Sequence, residues 1–383
     1  MAKERGIPGE SDDANLSIVR ADNGGETIRL TWSDGTADAF HAIWLRDNCT
    51  CPQCRHPDND QRLFDVTDLP HGIIVTSATL GGDGALEVTF GPDGHCSRFE
   101  PVWLRRYVNP VPGTERRLWG QELSDSLPVS DFRQAAKDPK ALAGWLEHLA
   151  TLGLAILTNV PRESGAVTRV AEVFGHVRET NYGRLFDVRA EPDPTNLAFT
   201  GLGLPVHTDN PYRDPVPGLQ LLHCLDADAE GGDTVVVDGF NAAETLRRES
   251  PEAFSMLSQH SVPFRFRDGT VDLQARAPFI ELNAAGALRA VRYNNRSVAP
   301  FDLSPEVLPG FYAAYRRFAE ILQQPQLQVS FCLEPGNLFI VDNERVLHGR
   351  RGYEGQRHLQ GCYADKDALH SRRRLLKASG AKP

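Results

Sequence analysis

His207-Thr208-Asp209 sets an imidazole and a carboxylate two positions apart, inside Leu204-Pro-Val-His-Thr-Asp-Asn-Pro-Tyr212. On an extended strand, residues so spaced share a face about 7 Å apart. A neutral imidazole and a carboxylate on one face form two corners of a ferrous-iron site, which needs one further donor and leaves positions open for small ligands. His348, in Arg345-Val-Leu-His-Gly-Arg-Arg351, is the candidate for that donor. In a chain with 12 histidines a lone His-x-Asp carries little weight, so its companions matter. Thr234, in Gly231-Gly-Asp-Thr-Val-Val-Val237, can bring a hydroxyl to the site, and Arg357 can offer a two-pronged fork to a carboxylate. The competing reading is a non-catalytic β-sandwich binding module whose histidines and aspartate are ordinary surface residues.

A second cluster involves sulfur. Three of the seven cysteines fall within six residues, Cys49-Thr-Cys-Pro-Gln-Cys54. An odd, bunched set points to metal binding in a reducing compartment, not to a disulfide framework. Three thiolates in one tight loop suit a closed tetrahedral zinc site, which stabilises structure and leaves no position for chemistry. The fourth ligand is open among His56, His95 and Cys96, with His95 in an expected turn between strands. Simple packing of the thiols in a loop is the alternative. A zinc-ribbon nucleic-acid module has no support, because Lys and Arg do not cluster around aromatics here. Cys224, Cys332 and Cys362 sit in apolar, strand-like runs and are expected to be small buried side chains.

The elements that must position these groups follow from periodicity. Ile28–Trp32 and Leu86–Phe90 alternate apolar and polar beside turn signals, and Phe64–Val66 and Ile73–Thr76 add short strands. Residues 16–110 therefore read as a small β-rich zinc-binding domain, with helices hard to place before residue 130. Residues 111–128 carry Pro and Gly without a sustained period and form the expected linker to a domain at 129–383. There, Asp138 can cap a helix begun by Pro139 and ended by Gly153, with Leu142, Trp145, Leu146 and Leu149 on its apolar face. Leu154–Leu157 follows as a buried strand. Further helices are expected near 165–174, 242–259 (broken at Pro251) and 305–323. Strands are expected at Leu185–Val188, Leu219–Cys224, Thr234–Val237, Phe264–Phe266, Ala290–Tyr293, Leu327–Cys332 and Leu338–Val341. Many strands and few helices suggest a mainly β fold with flanking helices, a β-sandwich or a jelly-roll barrel (double-stranded β-helix).

Bulk properties fit a globular protein: 383 residues, 40% hydrophobic, 24% charged. A net charge of −10 argues against non-specific nucleic-acid or anionic-membrane partners. No run of 18 apolar residues suggests a membrane span, and residues 1–15 read as a disordered lead-in without a secretory signal. A cytoplasmic location is the default expectation.

Together, Leu204–Tyr212, Gly231–Val237, Val346–Arg351 and Arg357-His-Leu-Gln-Gly-Cys-Tyr363 resemble the taurine-dioxygenase superfamily of Fe(II)- and 2-oxoglutarate-dependent oxygenases. The segment Trp44-Leu-Arg-Asp-Asn-Cys-Thr-Cys-Pro-Gln-Cys54 is similar to the zinc-binding domain of its gamma-butyrobetaine and trimethyllysine hydroxylase branch. The resemblance implies His207, Asp209 and His348 as iron ligands, Thr234 and Arg357 as holders of the 2-oxoglutarate carboxylate, and Cys49, Cys51, Cys54 and His95 as zinc ligands. It implies a quaternary-ammonium cage from Tyr182, Phe186, Phe199 and Tyr363, and carboxylate-binding amides in Asn196 and Asn294. Core packing is the competing reading of those aromatics. The implied reaction consumes O2 and 2-oxoglutarate, with ascorbate as reductant, and converts gamma-butyrobetaine to L-carnitine with release of succinate and CO2. Trimethyllysine or a sulfonate is the alternative substrate, and a homodimer is the implied assembly.

Overall fold

The structure is a computed structural model describing residues 16–108, 116–190 and 200–381. Its contacts divide the chain into two compact units at about residue 113.

The first unit holds two three-stranded antiparallel sheets. One is Ile18–Asn23, Thr27–Trp32 and Ala37–His41; the other is Ile74–Leu80, Leu86–Gly91 and Cys96–Phe99. Ile28, Leu30 and Trp32 alternate along their strand and pack with Val75, Val88, Phe90 and Phe99 in one core, as a period of two requires. Two expectations fail. Helices do occur before residue 130, at Ala42–Asp47 and Pro101–Val108. They span too few turns to print a period in the sequence. Phe64–Val66 is not a strand but the entry to a 3-10 turn at Val66–Asp68. The Asp65 and Asp68 side chains form a reciprocal capping box there, which draws the backbone away from any ladder.

The second unit is built on a four-stranded and a seven-stranded sheet. The short sheet runs Leu204–His207, Val346–Arg350, Thr234–Asp238, Gln328–Phe331. The long sheet runs Phe186–Arg189, Tyr353–Ala364, Leu219–Gly231, Leu338–Asp342, Leu154–Thr158, Val129–Asp131, with Val177–Arg178 also paired to Tyr353–Ala364. Side-chain alternation separates the faces. Leu222, Cys224, Phe339, Val341 and Leu359 of the long sheet pack with Val236, Val329 and Val346 of the short one in a shared core. Their neighbours in sequence, Leu219, Leu221, Leu338, Ile340 and Cys362, pack outward against the helices Pro139–Leu152, Ala166–Glu172 and Lys366–Ala378. Val235, Val237 and Leu347 do the same against Gly239–Glu249, Pro251–Gln259 and Leu308–Leu322. The unit is thus a double-stranded β-helix with a helical layer on each outer face.

The helix at Pro139–Leu152 forms as its sequence dictates, with Asp138 accepting from the Lys140 N–H and Gly153 closing it in the left-handed region. The described part of the expected linker behaves differently. Trp119 and Leu123 are buried in the intersheet core, and Trp119 Nε1 donates to the Leu152 carbonyl at 2.7 Å.

One buried ion pair ties the two strands that matter most for the site. Arg345 precedes Val346–Arg350 and grips Asp238, the last residue of Thr234–Asp238, through Nε (3.0 Å) and Nη2 (2.8 Å). Its remaining donors go to the carbonyls of Thr151 and Arg117. Asp238 also caps the following helix through the Phe240 N–H. Removing one partner leaves the other charge buried and unmatched, so Arg345→Met is expected to cost about 3–5 kcal/mol in a denaturant titration. A loss below about 1 kcal/mol would mean that the pair is not needed to close the fold.

Candidate active site and thiol cluster

His207 ends the strand Leu204–His207, and Asp209 lies just past it, so the pair does not share a strand as its spacing suggested. Asn210 turns the chain with φ +53°, a left-handed conformation that asparagine tolerates. Strand alternation therefore does not account for the Asp209 carboxylate reaching His207. The Asp209 backbone is pinned from both sides by buried Asn343, whose Oδ1 accepts its N–H (2.7 Å) and whose Nδ2 donates to its carbonyl (3.0 Å). His348 comes from the neighbouring strand, registered directly opposite His207. Gly349 permits that approach, since a Cβ there would lie 2.5 Å from the Leu204 carbonyl oxygen. The two imidazole centroids are 4.6 Å apart.

The protonation pattern suits a cation. His207 Nδ1 lies 2.9 Å from the Pro205 carbonyl, which can only accept, so Nδ1 carries the proton and Nε2 offers a lone pair. Burial first, and then the nearby His207, drive His348 down to about 3, so its imidazole is neutral at neutral pH. Burial acts to raise the Asp209 carboxyl, but its contact with His207 and a hydrogen bond from Tyr363 outweigh it and hold it well below the usual carboxylate range. Asp209 Oδ1 sits 3.3 Å from His207 Nε2 and 3.9 Å from His348 Nε2. Lone pairs converging at these separations match donors placed about 2.0–2.2 Å from one shared ion. The donor set therefore fits a divalent metal.

Around this triad lies a cavity of about 470 Å³, in the range of small-molecule sites. Thr234 and Arg357 line it, as do Tyr182, Phe186, Asn294 and Tyr363. Arg357 is buried and has no carboxylate within ion-pair reach among the described residues; it stacks 5.8 Å from the Tyr353 ring centroid. Burial lowers its pKa from the ordinary arginine value. The Asn294 amide is already engaged, since Nδ2 donates to the Thr208 carbonyl (3.2 Å) and Oδ1 accepts the Arg296 N–H (3.2 Å). It thereby braces the residue between His207 and Asp209. Asn196 and Phe199 lie outside the described residues.

The aromatic wall is larger than expected. Phe186 packs 5.1 Å from Tyr363 and 6.1 Å from Tyr182, while Phe266 sits 6.0 Å from Tyr182 and stacks on Tyr212 at 5.1 Å. Gly361 makes room for the Phe186 ring beside Tyr363, as a Cβ there would meet it at 2.5 Å. Tyr212 spends its proton on Asn210 Oδ1 (2.6 Å), so Tyr182 donates to Tyr212 (3.1 Å). Phe266 and Tyr212 went unnoticed in the sequence, as did Gln220, Asn343 and Arg296.

In the first unit, His95 Nε2 lies 3.2 Å from Cys49 Sγ and 3.6 Å from both Cys51 and Cys54 Sγ. Of the three candidates, His95 is the one the fold brings to the three thiols, making a group that could hold a metal ion. Cys96 is exposed, and the His56 ring accepts the Asp58 N–H in the adjoining loop. Cys224 and Cys362 are buried as expected, but Cys332 is exposed just beyond the end of its strand.

Comparison with known proteins adds three findings. Residues 108–363 match the family described as taurine catabolism dioxygenase TauD, TfdA, and residues 19–108 match the gamma-butyrobetaine hydroxylase-like N-terminal family. The chain is 41% identical over 356 residues to the gamma-butyrobetaine dioxygenase of Pseudomonas sp. (strain AK-1), covering 90% of this chain and 92% of that one. It is 32% identical to the human gamma-butyrobetaine dioxygenase (94% and 97% covered) and 30% identical to the mitochondrial trimethyllysine dioxygenase of Bos taurus (88% and 82% covered).

Proposed function

The chain belongs to the TauD, TfdA dioxygenase family, and from that premise we propose that it hydroxylates gamma-butyrobetaine to L-carnitine, with 2-oxoglutarate and O2 consumed and succinate and CO2 released. His207, Asp209 and His348 are the proposed iron ligands, Thr234 and Arg357 the cosubstrate holders, and Cys49, Cys51, Cys54 and His95 the zinc ligands. Residues 16–110 are the proposed zinc-binding domain and 129–383 the catalytic one. A cytoplasmic homodimer, using ascorbate to keep iron reduced, completes the proposal.

Bound at the triad, ferrous iron supplies the redox chemistry that couples decarboxylation of 2-oxoglutarate to oxidation of a substrate C–H bond. The chain's own residues do the rest. Neutral His348 and ionised Asp209 keep their lone pairs available at neutral pH. Arg357, a buried guanidinium with no carboxylate partner among the described residues, holds the far carboxylate of the cosubstrate. Tyr182, Phe186, Phe266 and Tyr363 present ring faces to a trimethylammonium group, a contact worth about 0.5–2 kcal/mol per well-placed ring. Apolar Val188, Leu222, Phe339 and Leu359 keep water from the reacting centre.

The observation that carries the substrate choice is the charge of the cavity wall. Asp209 is the one acidic residue lining it among the described residues, whereas Arg267 and Arg296 also line it and Arg265 is already paired with Asp272. A zwitterion with an ammonium at one end and a carboxylate at the other fits. The additional α-ammonium of trimethyllysine finds no carboxylate other than Asp209 to meet among the described residues. A sulfonate would leave the aromatic wall without purpose.

The test is an anaerobic iron load followed by O2, 2-oxoglutarate and ascorbate, with succinate and product mass as readouts. Gamma-butyrobetaine is expected to stimulate succinate release and yield a product heavier by one oxygen. Stimulation by trimethyllysine but not by gamma-butyrobetaine would overturn the substrate assignment.

A further inference from the structure

The two Asp209 oxygens have different neighbours. Oδ1 is the atom 3.3 Å from His207 Nε2 and 3.9 Å from His348 Nε2. Oδ2 is occupied: the Tyr363 hydroxyl donates to it at 2.8 Å, and the Gln220 side-chain amide donates to it as well. These two donors are cross-strand partners, Gln220 on Leu219–Gly231 registered opposite Tyr363 on Tyr353–Ala364. Both belong to the inner face of the long sheet, the face of Leu222 and Leu359. Gln220 is 2% exposed in the apolar run Leu219-Gln-Leu-Leu222, where packing alone favours a hydrocarbon. Its amide orientation follows from its partner, because a carboxylate oxygen accepts and cannot donate.

We infer that Gln220 and Tyr363 are positioning residues that force Asp209 to bind its metal through one oxygen. The inference rests on the triad being a metal centre. A carboxylate free to pivot can bring both oxygens to an ion and occupy two coordination positions. An octahedral ion with three protein donors has three positions left, and a cosubstrate bound through two oxygens leaves one. A second Asp209 oxygen closes that last position. Tying Oδ2 to two donors on a rigid sheet keeps it open. Because the Tyr363 ring also belongs to the aromatic wall, one side chain serves the substrate end and the metal end of the cavity.

The experiment uses full-length protein whose thiol cluster is first saturated with zinc, titrated with Co(II) as the probe. Tyr363→Phe keeps the ring and removes the hydroxyl; Gln220→Leu keeps the volume and removes the amide. Each is expected to weaken Co(II) binding about 10–100-fold, the usual effect of losing a partner of a metal ligand. Each is also expected to shift the visible Co(II) bands, as a change in the donor set of a six-coordinate ion does. Wild-type affinity and spectrum in both variants would overturn the inference. Should Gln220→Leu lose its thermal transition, Tyr363→Phe decides alone. Undiminished Co(II) binding by His207→Ala would instead overturn the metal centre, and the inference with it.

Discussion

Succinate release is expected to fall by about a thousandfold or more when His348 is replaced by alanine, which corresponds to about 4 kcal/mol of lost transition-state stabilisation. The substitution removes one of three donors whose ligand atoms lie within 4.8 Å of one another. No nearby group replaces it, because the strand register puts Val236 on one side of His348 and His207 on the other. The fold is expected to survive. His348 Nδ1 has no hydrogen-bond partner among the described residues, so alanine deletes a side chain without orphaning a donor or acceptor there. A loss of about 1–3 kcal/mol in a denaturant titration is the ordinary outcome for such a buried truncation. Zinc content should stay at the wild-type level, since the thiol cluster belongs to the other unit. Three measurements on one preparation therefore separate the causes: succinate yield, iron binding and zinc content. Activity within tenfold of wild type would remove His348 from the metal centre.

The triad was legible because its residue types are rare together and chemically restrictive. What held them was not. The sequence suggests a shared strand for His207 and Asp209, yet Asp209 lies past the end of that strand and its backbone is held by Asn343, 134 residues away. No local pattern encodes a brace at that separation. Gln220 gives no signal in the sequence because its partner, Tyr363, is fixed by ladder register, which propensity does not reveal. The strand Leu219–Gly231 also runs well past Cys224. Its second half, Leu225-Asp-Ala-Asp-Ala-Glu230, alternates half-buried and exposed residues, and its charges conceal the period. By contrast, helices with full caps and apolar faces, such as Pro139–Leu152, were readable to within a residue. Phe266 reached the aromatic wall on a hairpin, Val262–Arg267 with Asp272–Ala277, whose placement is wholly tertiary.

Stripping zinc from the protein is expected to lower the unfolding midpoint of residues 16–108 by roughly 12 °C or more, taking a loss of about 3 kcal/mol at 4–8 °C per kcal/mol for a domain of this size. Structural zinc contributes about 10–16 kcal/mol of apparent binding energy in small zinc peptides, which fold only with metal. Here the two sheets hold a core of their own, from Ile28 to Phe99, so part of the unit stands without the ion. The thiol loop does not share that support. Between Cys49 and Leu63 it has turns and one isolated bridge, Arg55 to Arg62, with no strand. Arg46 bonds both Cys54 Sγ (3.4 Å) and Asp93 (2.8 Å), and Asp93 accepts the His95 N–H (3.2 Å), so the ligands are oriented before metal arrives. Burial first, then the facing Cys49, push the Cys54 thiol up to about 12. At neutral pH the metal-free thiol is therefore protonated, and an incoming divalent ion must release that proton. Zinc affinity is thus expected to fall as pH falls, with protons appearing in an unbuffered titration. Cys54→Ser should reproduce the stripped protein's lower midpoint while leaving the second unit's transition in place, as calorimetry can resolve. A single unchanged transition after chelation would mean that the cluster holds no structural metal.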